Sequence, residues 1–295
     1  LEMDRGAERG PPPALNGMVP ASGLLSVLRP SQWIKNAFVL APLVFSQRIF
    51  EEGRAVSALW ACLAFCLASS ASYVFNDIID RGRDAKHPLK RDRALASGNI
   101  TVRQAVLLAV SLALSALAMA WKLGPAFAAA LVSFLLLQAA YSLWLRSVVL
   151  VDAAAISGCF LLRAQGGVLA VEAQMSAWLF LCTFLLALFL ALAKRRHEIA
   201  LLGADAQGHR DVLGRYSAAL LDQTLTVLAA TTIVAYTAYA MWPGVAEKLG
   251  TTQLYLTVPF VVMGLLRYLF LVYGRAAGEP TELLLADLPL QASIV

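Results

Sequence analysis

The sequence predicts an all-α protein, a polytopic transmembrane helical bundle, on three observations. Apolar residues make up 59% of the 295-residue chain and charged residues only 15%, more apolar side chain than a soluble domain can cover with polar surface. The apolar residues fall into eight runs, at roughly 31–50, 55–76, 101–121, 125–145, 148–169, 177–193, 218–242 and 251–273, each near the ~20 residues that cross a bilayer as helix. Lys and Arg gather on one side of the alternating loops.

The chain begins differently. Residues 1–23 hold Pro11, Pro12, Pro13 and mixed charges, with no apolar run that would form a signal-peptide core. They read as a disordered cytoplasmic tail, leaving 24–295 as a single transmembrane catalytic domain. The first run is the weakest, because Gln32, Lys35 and Asn36 stand at its start. In lipid each backbone polar group must be paired within its own segment, so all eight runs read as helices. Gly124-Pro125 and Pro243-Gly244 punctuate two tight turns. Cys62, Cys66, Cys159 and Cys182 all fall inside apolar runs without further metal ligands nearby, which reads as packing.

Orientation follows from the basic residues. With a cytoplasmic N-terminus, 18 of the 24 Lys and Arg lie inside and four lie outside, while Arg163 and Arg267 fall within runs. This predicts a multi-pass membrane protein, its N-terminus and polar loops cytoplasmic. The net charge of +5 therefore reflects one-sided loops. No basic stretch is interleaved with aromatics, so no nucleic-acid partner is predicted.

Two polar stretches, 77–100 and 194–217, lie on that side and form the expected walls of one active site. The first opens on Asn76, Asp77, Asp80 and Asp84. Continued as helix, the three carboxylates share one side and repel one another unless a cation sits among them. Oxygen ligands of this kind favour Mg²⁺, which shares its shell with waters and substrate phosphates. Lys90, Arg91 and Arg93 follow as phosphate partners, and His87 stands between as a substrate contact or a loop cap. Deeper in the membrane, Arg163 is a functional candidate because a charge there is costly unless paired or wet. Arg267 is close enough to the cytoplasmic end to snorkel. Asp152 would bind metal, contact the substrate or neutralise Arg146. Tyr73 and Tyr141 lie near the same face.

The run Asn76-Asp77-x-x-Asp80-x-x-x-Asp84, followed by His87-Pro88, Lys90-Arg91, Arg93 and Ala96-Ser97-Gly98, resembles the UbiA superfamily of intramembrane prenyltransferases. Arg29-Pro30-x-Gln32-Trp33-x-Lys35-Asn36, the stretch from Asp152 to Leu162-Arg163-Ala164, and Phe189 through Lys194-Arg195-Arg196-x-Glu198 resemble one branch, the polyprenyl-phosphate (decaprenyl-phosphate) phosphoribosyltransferases. The likeness covers nearly the whole chain from about residue 24. The chain departs from it at Arg93-Ala94, where the family has Arg-Pro, and in eight runs where the superfamily has nine helices. Glu279-Pro280-Thr281-Glu282-Leu283 resembles the segment before a ninth helix, which is either absent or lies beyond Val295.

The resemblance implies a chemistry. The donor would be 5-phosphoribosyl diphosphate, and the acceptor a polyprenyl monophosphate whose oxygen attacks ribose C1. Asn76, Asp77, Asp80 and Asp84 would hold Mg²⁺ on the diphosphate, while Lys90 and Arg93 stabilise the leaving pyrophosphate and Asp152 completes the catalytic set. Lys35, Asn36, Tyr73, Asn76, His87, Arg91, Tyr141, Arg146, Arg163, Lys194, Arg195, Arg196 and Glu198 would bind the substrates. Prenyl-diphosphate members of the superfamily carry a second aspartate-rich motif after the sixth helix; Lys194-Arg195-Arg196-His197-Glu198 stands in its place. That substitution speaks against transfer of a prenyl group to an aromatic or quinone acceptor. A transporter is disfavoured because the charges cluster at one face and no pair of broken helices recurs in the two halves.

Overall fold

The computed structural model describes residues 27–85, 90–202, 212–274 and 286–293, and the secondary structure assigned within them is helical, without a strand. After a short α1 (Ala41–Phe45) come α2 (Arg54–Asp84), α3 (Val102–Lys122), α4 (Pro125–Leu143), α5 (Val151–Ala170), α6 (Ala177–Leu202), α7 (Ala218–Met241), α8 (Pro243–Leu249), α9 (Val258–Tyr273) and α10 (Leu288–Ala292). Seven of the eight apolar runs become helices long and apolar enough to cross a membrane, the last entering α9 through the 3₁₀ turn Gln253–Thr257.

Local chemistry sets these boundaries. Thr101 caps α3 in a reciprocal pair with Gln104, and Ser217 caps α7 by accepting from the Leu220 amide. Gly124, at φ 112°, makes the turn into α4, whose first residue is Pro125.

The first run is the exception. Residues 31–50 are not one α-helix. They form a ten-residue 3₁₀ helix, Pro30–Val39, then α1 and a 3₁₀ turn, Arg48–Phe50. Pro42, inside the run, cannot donate to an α-helical ladder, and the segment is pinned by side chains. Trp33 Nε1 donates to Ser70 Oγ (3.0 Å), and Ser70 Oγ donates to the Leu28 carbonyl (2.8 Å). Gly167 lets it approach α5: a Cβ there would stand 2.0 Å from the Val39 carbonyl oxygen. The segment still traverses the bundle, since Arg29 reaches the last turns of α2 and Arg48 donates to the Val171 carbonyl just past α5 (2.9 Å).

Two cores follow. In the first half, alanines 58, 61, 64, 68 and 71 give α2 a smooth buried face that admits close helix packing. Phe65 meets Phe127 and Phe134 edge-on at 5.8 and 5.3 Å. In the second half, Phe189, Leu192, Leu221, Leu225 and Tyr268 join α6, α7 and α9. Helix α5 packs against both α4 and α6 and joins the halves. Arg267 pairs with Asp287 through two guanidinium nitrogens (3.1 and 2.8 Å), which anchors α10 to α9. Arg267, which the sequence placed near the cytoplasmic end, thus has a carboxylate partner there.

Candidate active site

The acidic end of α2 is the site's frame. The helix does not stop at residue 76, as the apolar run does, but continues to Asp84. Asn76, Asp77, Asp80 and Asp84 therefore lie within its last two and a half turns, on neighbouring positions of one side. Asp77 and Asp84 are buried. Every carboxylate here meets a guanidinium. Asp77 Oδ1 accepts from Arg29 Nη2 (2.5 Å) and Arg93 Nη1 (3.1 Å), and Asp84 Oδ2 also accepts from Arg93 (2.7 Å). Asp80 Oδ2 accepts from Arg146 Nη1 (2.7 Å) and from Asn76 Nδ2 (3.1 Å). The cation that spacing alone demanded is, in this arrangement, arginine.

Arg29 arrives from 48 residues away with a left-handed backbone (φ 51°), and its guanidinium also lies 5.3 Å over the Tyr73 ring. A non-glycine residue in that conformation is strained, a condition that gathers at functional sites. Leu150 (φ 66°), at the head of α5, is the other such residue near the site.

A second polar network lies beneath the head of α5. Asp152 is fully buried; its Oδ2 accepts from Arg195 Nε (2.7 Å) and its Oδ1 from the Tyr216 hydroxyl (2.7 Å). Arg195, 1% exposed, also donates to Glu198 (2.8 Å) and the Tyr141 hydroxyl (3.1 Å). The Tyr216 hydroxyl in turn accepts from the strained Leu150 amide (2.7 Å). Burial and the hydrogen bond to Asp152 push the Tyr216 phenol well above its usual range, so it remains a donor at any physiological pH.

This network corrects two expectations. Asp152 does not neutralise Arg146, which pairs with Asp80; its cation is Arg195. Residues 194–202 are not loop but the last turns of α6. Successive residues there are turned about 100° apart, so the three basic residues diverge. Arg195 points inward, Arg196 holds Asp222 (2.6 and 3.4 Å) with its guanidinium 5.3 Å from the Tyr273 ring centre, and Lys194, the residue before them, is half-buried.

A third cluster lies deeper. Arg163 donates from Nε to Asn36 Oδ1 (2.7 Å), from Nη1 to the Cys159 carbonyl (3.2 Å) and from Nη2 to Ser69 Oγ (3.2 Å). Asn36 and Arg163 are both buried, so neither meets solvent at the acidic end. Of the remaining sequence-predicted residues, Lys35 donates to Gln32 (2.5 Å), Lys90 is half-buried and Arg91 is exposed. His87 lies outside the described residues. Cys62, Cys66, Cys159 and Cys182 are free thiols. Arg29, Tyr216 and Asp222 were not singled out as site residues from sequence. Arg29 carried a signal in the Arg-Pro dipeptide; the other two carried none.

The donor set suits a hard cation. Four oxygen-bearing side chains share a helix end, and each carboxylate is compensated by positive charge alone or with one amide. Among the described residues no three His, Cys, Asp or Glu side chains converge as a complete metal shell. Mg²⁺ needs no such cage, because one or two carboxylates, waters and substrate phosphates complete its octahedron. A separate apolar cavity of about 820 Å³, lined by Phe38, Leu186, Phe189, Val261, Leu265 and Tyr268 among others, lies deeper between the leading segment, α6, α7 and α9.

A bundle of seven helices long and apolar enough to cross a membrane, with a charged cluster at one end, is a multi-pass integral membrane protein. The chain belongs to the UbiA prenyltransferase family, whose sequence profile matches residues 37–288. It is 33% identical over 293 residues to the decaprenyl-phosphate phosphoribosyltransferase of Mycolicibacterium smegmatis, covering 96% of this chain and 90% of that one. It is 34% identical over 282 residues to the enzyme of the same name from Corynebacterium glutamicum, covering 92% and 83%. In three dimensions it resembles a UbiA homolog from Archaeoglobus fulgidus bound to DMAPP and Mg²⁺, with a TM-score of 0.73, 17% identity and 91% and 94% of the two chains covered. The same homolog bound to GPP and Mg²⁺ aligns at a TM-score of 0.70 and 20% identity, covering 92% and 94%.

Proposed function

We propose that this protein transfers the 5-phosphoribosyl group from phosphoribosyl diphosphate to a polyprenyl monophosphate, releasing pyrophosphate, at the cytoplasmic face of a bacterial inner membrane. The observation that carries the reading is the cation supply at the acidic end of α2. Asp77, Asp80 and Asp84 are already matched by Arg29, Arg93 and Arg146. Metal binding at the carboxylates would free three guanidiniums for phosphate oxygens. A single lipid diphosphate does not require that many; a donor carrying a diphosphate and a 5-phosphate, facing an acceptor that carries a third phosphate group, does. The relatives from Mycolicibacterium smegmatis and Corynebacterium glutamicum are named decaprenyl-phosphate phosphoribosyltransferases, and the 18-to-4 split of basic residues supports the cytoplasmic orientation.

In this mechanism Asn76, Asp77, Asp80 and Asp84 would hold Mg²⁺, which would supply positive charge to the leaving diphosphate. Arg29 and Arg146, released from their carboxylates, clamp phosphate oxygens in bidentate fashion. The acceptor's phosphate oxygen attacks C1 and forms the new C1–O bond. The bond from C1 to the diphosphate oxygen breaks, and pyrophosphate leaves with the electron pair. Arg93 stabilises the charge that develops on it, the kind of interaction that is usually the largest catalytic term. The acceptor phosphate is anionic at neutral pH, so no side chain need remove a proton. The polyprenyl tail extends into the apolar interior, for which the cavity beside Phe38 and Phe189 offers room.

The test is transfer in detergent with purified protein, Mg²⁺, polyprenyl phosphate and phosphoribosyl diphosphate labelled in the ribose. Label in a lipid-extractable product, lost with EDTA, supports the reading. Consumption of a polyprenyl diphosphate with an aromatic acceptor, and none of the labelled donor, contradicts it.

A further inference from the structure

Five charged side chains are buried among the described residues: Asp77, Asp84, Asp152, Arg163 and Arg195. Four of them form ion pairs. Arg163 does not. Its guanidinium meets only the Asn36 amide oxygen, the Ser69 hydroxyl, the Cys159 carbonyl and the faces of Phe134 (4.6 Å) and Phe160 (5.3 Å). Neutral partners of this kind hold the leading segment to α2 and α5, but joining them requires no charge. A glutamine or a methionine would fill the space without the cost of an uncompensated cation in a low-dielectric interior.

The position of that charge gives it a use. Ser69 lies eight residues before Asp77 on α2, about 12 Å along the helix, and Tyr73, with Arg29 over its ring, stands midway. Above Arg163 the carboxylates Asp77, Asp80 and Asp84 are balanced by Arg29, Arg93 and Arg146. The neighbouring network holds Arg195 against Asp152 and Glu198. Between a neutral cluster and a network that leans negative, the buried cation supplies the positive potential under the site, screened little by salt because it is walled from water.

Building on the phosphorylated substrates proposed above, we infer that Arg163 is a positioning residue that draws the anionic donor to the acidic end of α2 through its field, without touching it. A unit charge about 12 Å away at an effective dielectric of about 20 changes the affinity of a singly charged group about tenfold, and of a dianion about a hundredfold.

Steady-state kinetics of wild type, Arg163→Lys, Arg163→Met and Asn36→Asp in detergent, at low and high salt, test this. Asn36→Asp keeps the side-chain volume and gives Arg163 the carboxylate it lacks, so it cancels the field without removing the arginine. Arg163→Met and Asn36→Asp are expected to raise the KM for phosphoribosyl diphosphate ten- to a hundredfold at either salt concentration. Their kcat should stay within a few-fold of wild type, and Arg163→Lys should restore most of the donor affinity. A wild-type donor KM in Asn36→Asp, or equal rises in the Lys and Met variants, would overturn the inference. Should wild type fail to use that donor, the function reading falls instead. Binding of labelled pyrophosphate with Mg²⁺ to wild type and Asn36→Asp then still decides the role of Arg163, equal affinities counting against it.

Discussion

The acidic end of α2 and the Asp152–Arg195–Tyr216 network use the same residue types for opposite purposes. In the network both ion-pair partners are sealed, at 1% and 0% side-chain exposure, and each terminal nitrogen of Arg195 has a protein acceptor. At the helix end the arginines are 18 to 30% exposed, and Arg93 divides one nitrogen between two carboxylates. A pair that water can reach exchanges partners cheaply; a sealed pair does not, because opening it leaves a bare charge in a poor dielectric. The first region is thus suited to receive a metal and phosphates, and the second to hold α5, α6 and the Tyr216 turn in register around it.

Mutations in the two regions therefore fail in different ways. Asp80→Asn should lower transfer about 10³-fold in a protein whose melting temperature in detergent is unchanged or higher, as activity and thermal melts on one preparation would reveal. Asp152→Asn should do the reverse. It leaves Arg195 buried with one neutral partner in place of a carboxylate, at a cost of about 3 kcal/mol, so unfolding shifts while activity per folded molecule stays within a few-fold. Tyr216→Phe removes the hydroxyl that joins Asp152 to the Leu150 amide and should cost about 1–2 kcal/mol, read in the same melts. Its phenol is held protonated by burial and by its bond to Asp152, so Tyr216 itself should not titrate between pH 6 and about 9.

The smallest effect belongs to a pair outside both regions. Hydrogen bonding from Arg267 holds the Asp287 carboxyl below its ordinary value. A depressed folded-state pKa means that this contribution is fully present above the ordinary carboxylate range and is lost as pH falls through the folded value. The docking of α10 should therefore loosen on acidification below about pH 4, and Asp287→Asn should remove that pH dependence while barely moving stability at neutral pH.

The sequence carried some of this plainly. Eight apolar runs and one-sided basic loops specify a bundle, and Asp77, Asp80 and Asp84 disclose their shared side through spacing alone. Arg163 stood out because an intramembrane charge is rare. What stayed hidden depended on distant partners. Nothing near residue 77 announces that Arg29 will pair with it, since the strained backbone at Arg29 and the 3₁₀ path after it follow from side chains docking on Ser70 and Gly167. Lys194-Arg195-Arg196 read as one basic loop because hydropathy falls there; only helical continuation separates an inward Arg195 from an Arg196 paired with Asp222. Tyr216 and Asp222 stand singly in the sequence, and a lone polar residue has no pattern to betray it.

The most direct measurement is the shift in melting temperature on adding Mg²⁺ with phosphoribosyl diphosphate to wild type, Asp80→Asn and Asp152→Asn. Selective binding to the folded state raises that temperature. The division of labour predicts a rise in wild type and, from a lower baseline, a similar rise in Asp152→Asn, with none in Asp80→Asn. A rise retained in Asp80→Asn and lost in Asp152→Asn would contradict it, and would move the binding site to the buried network.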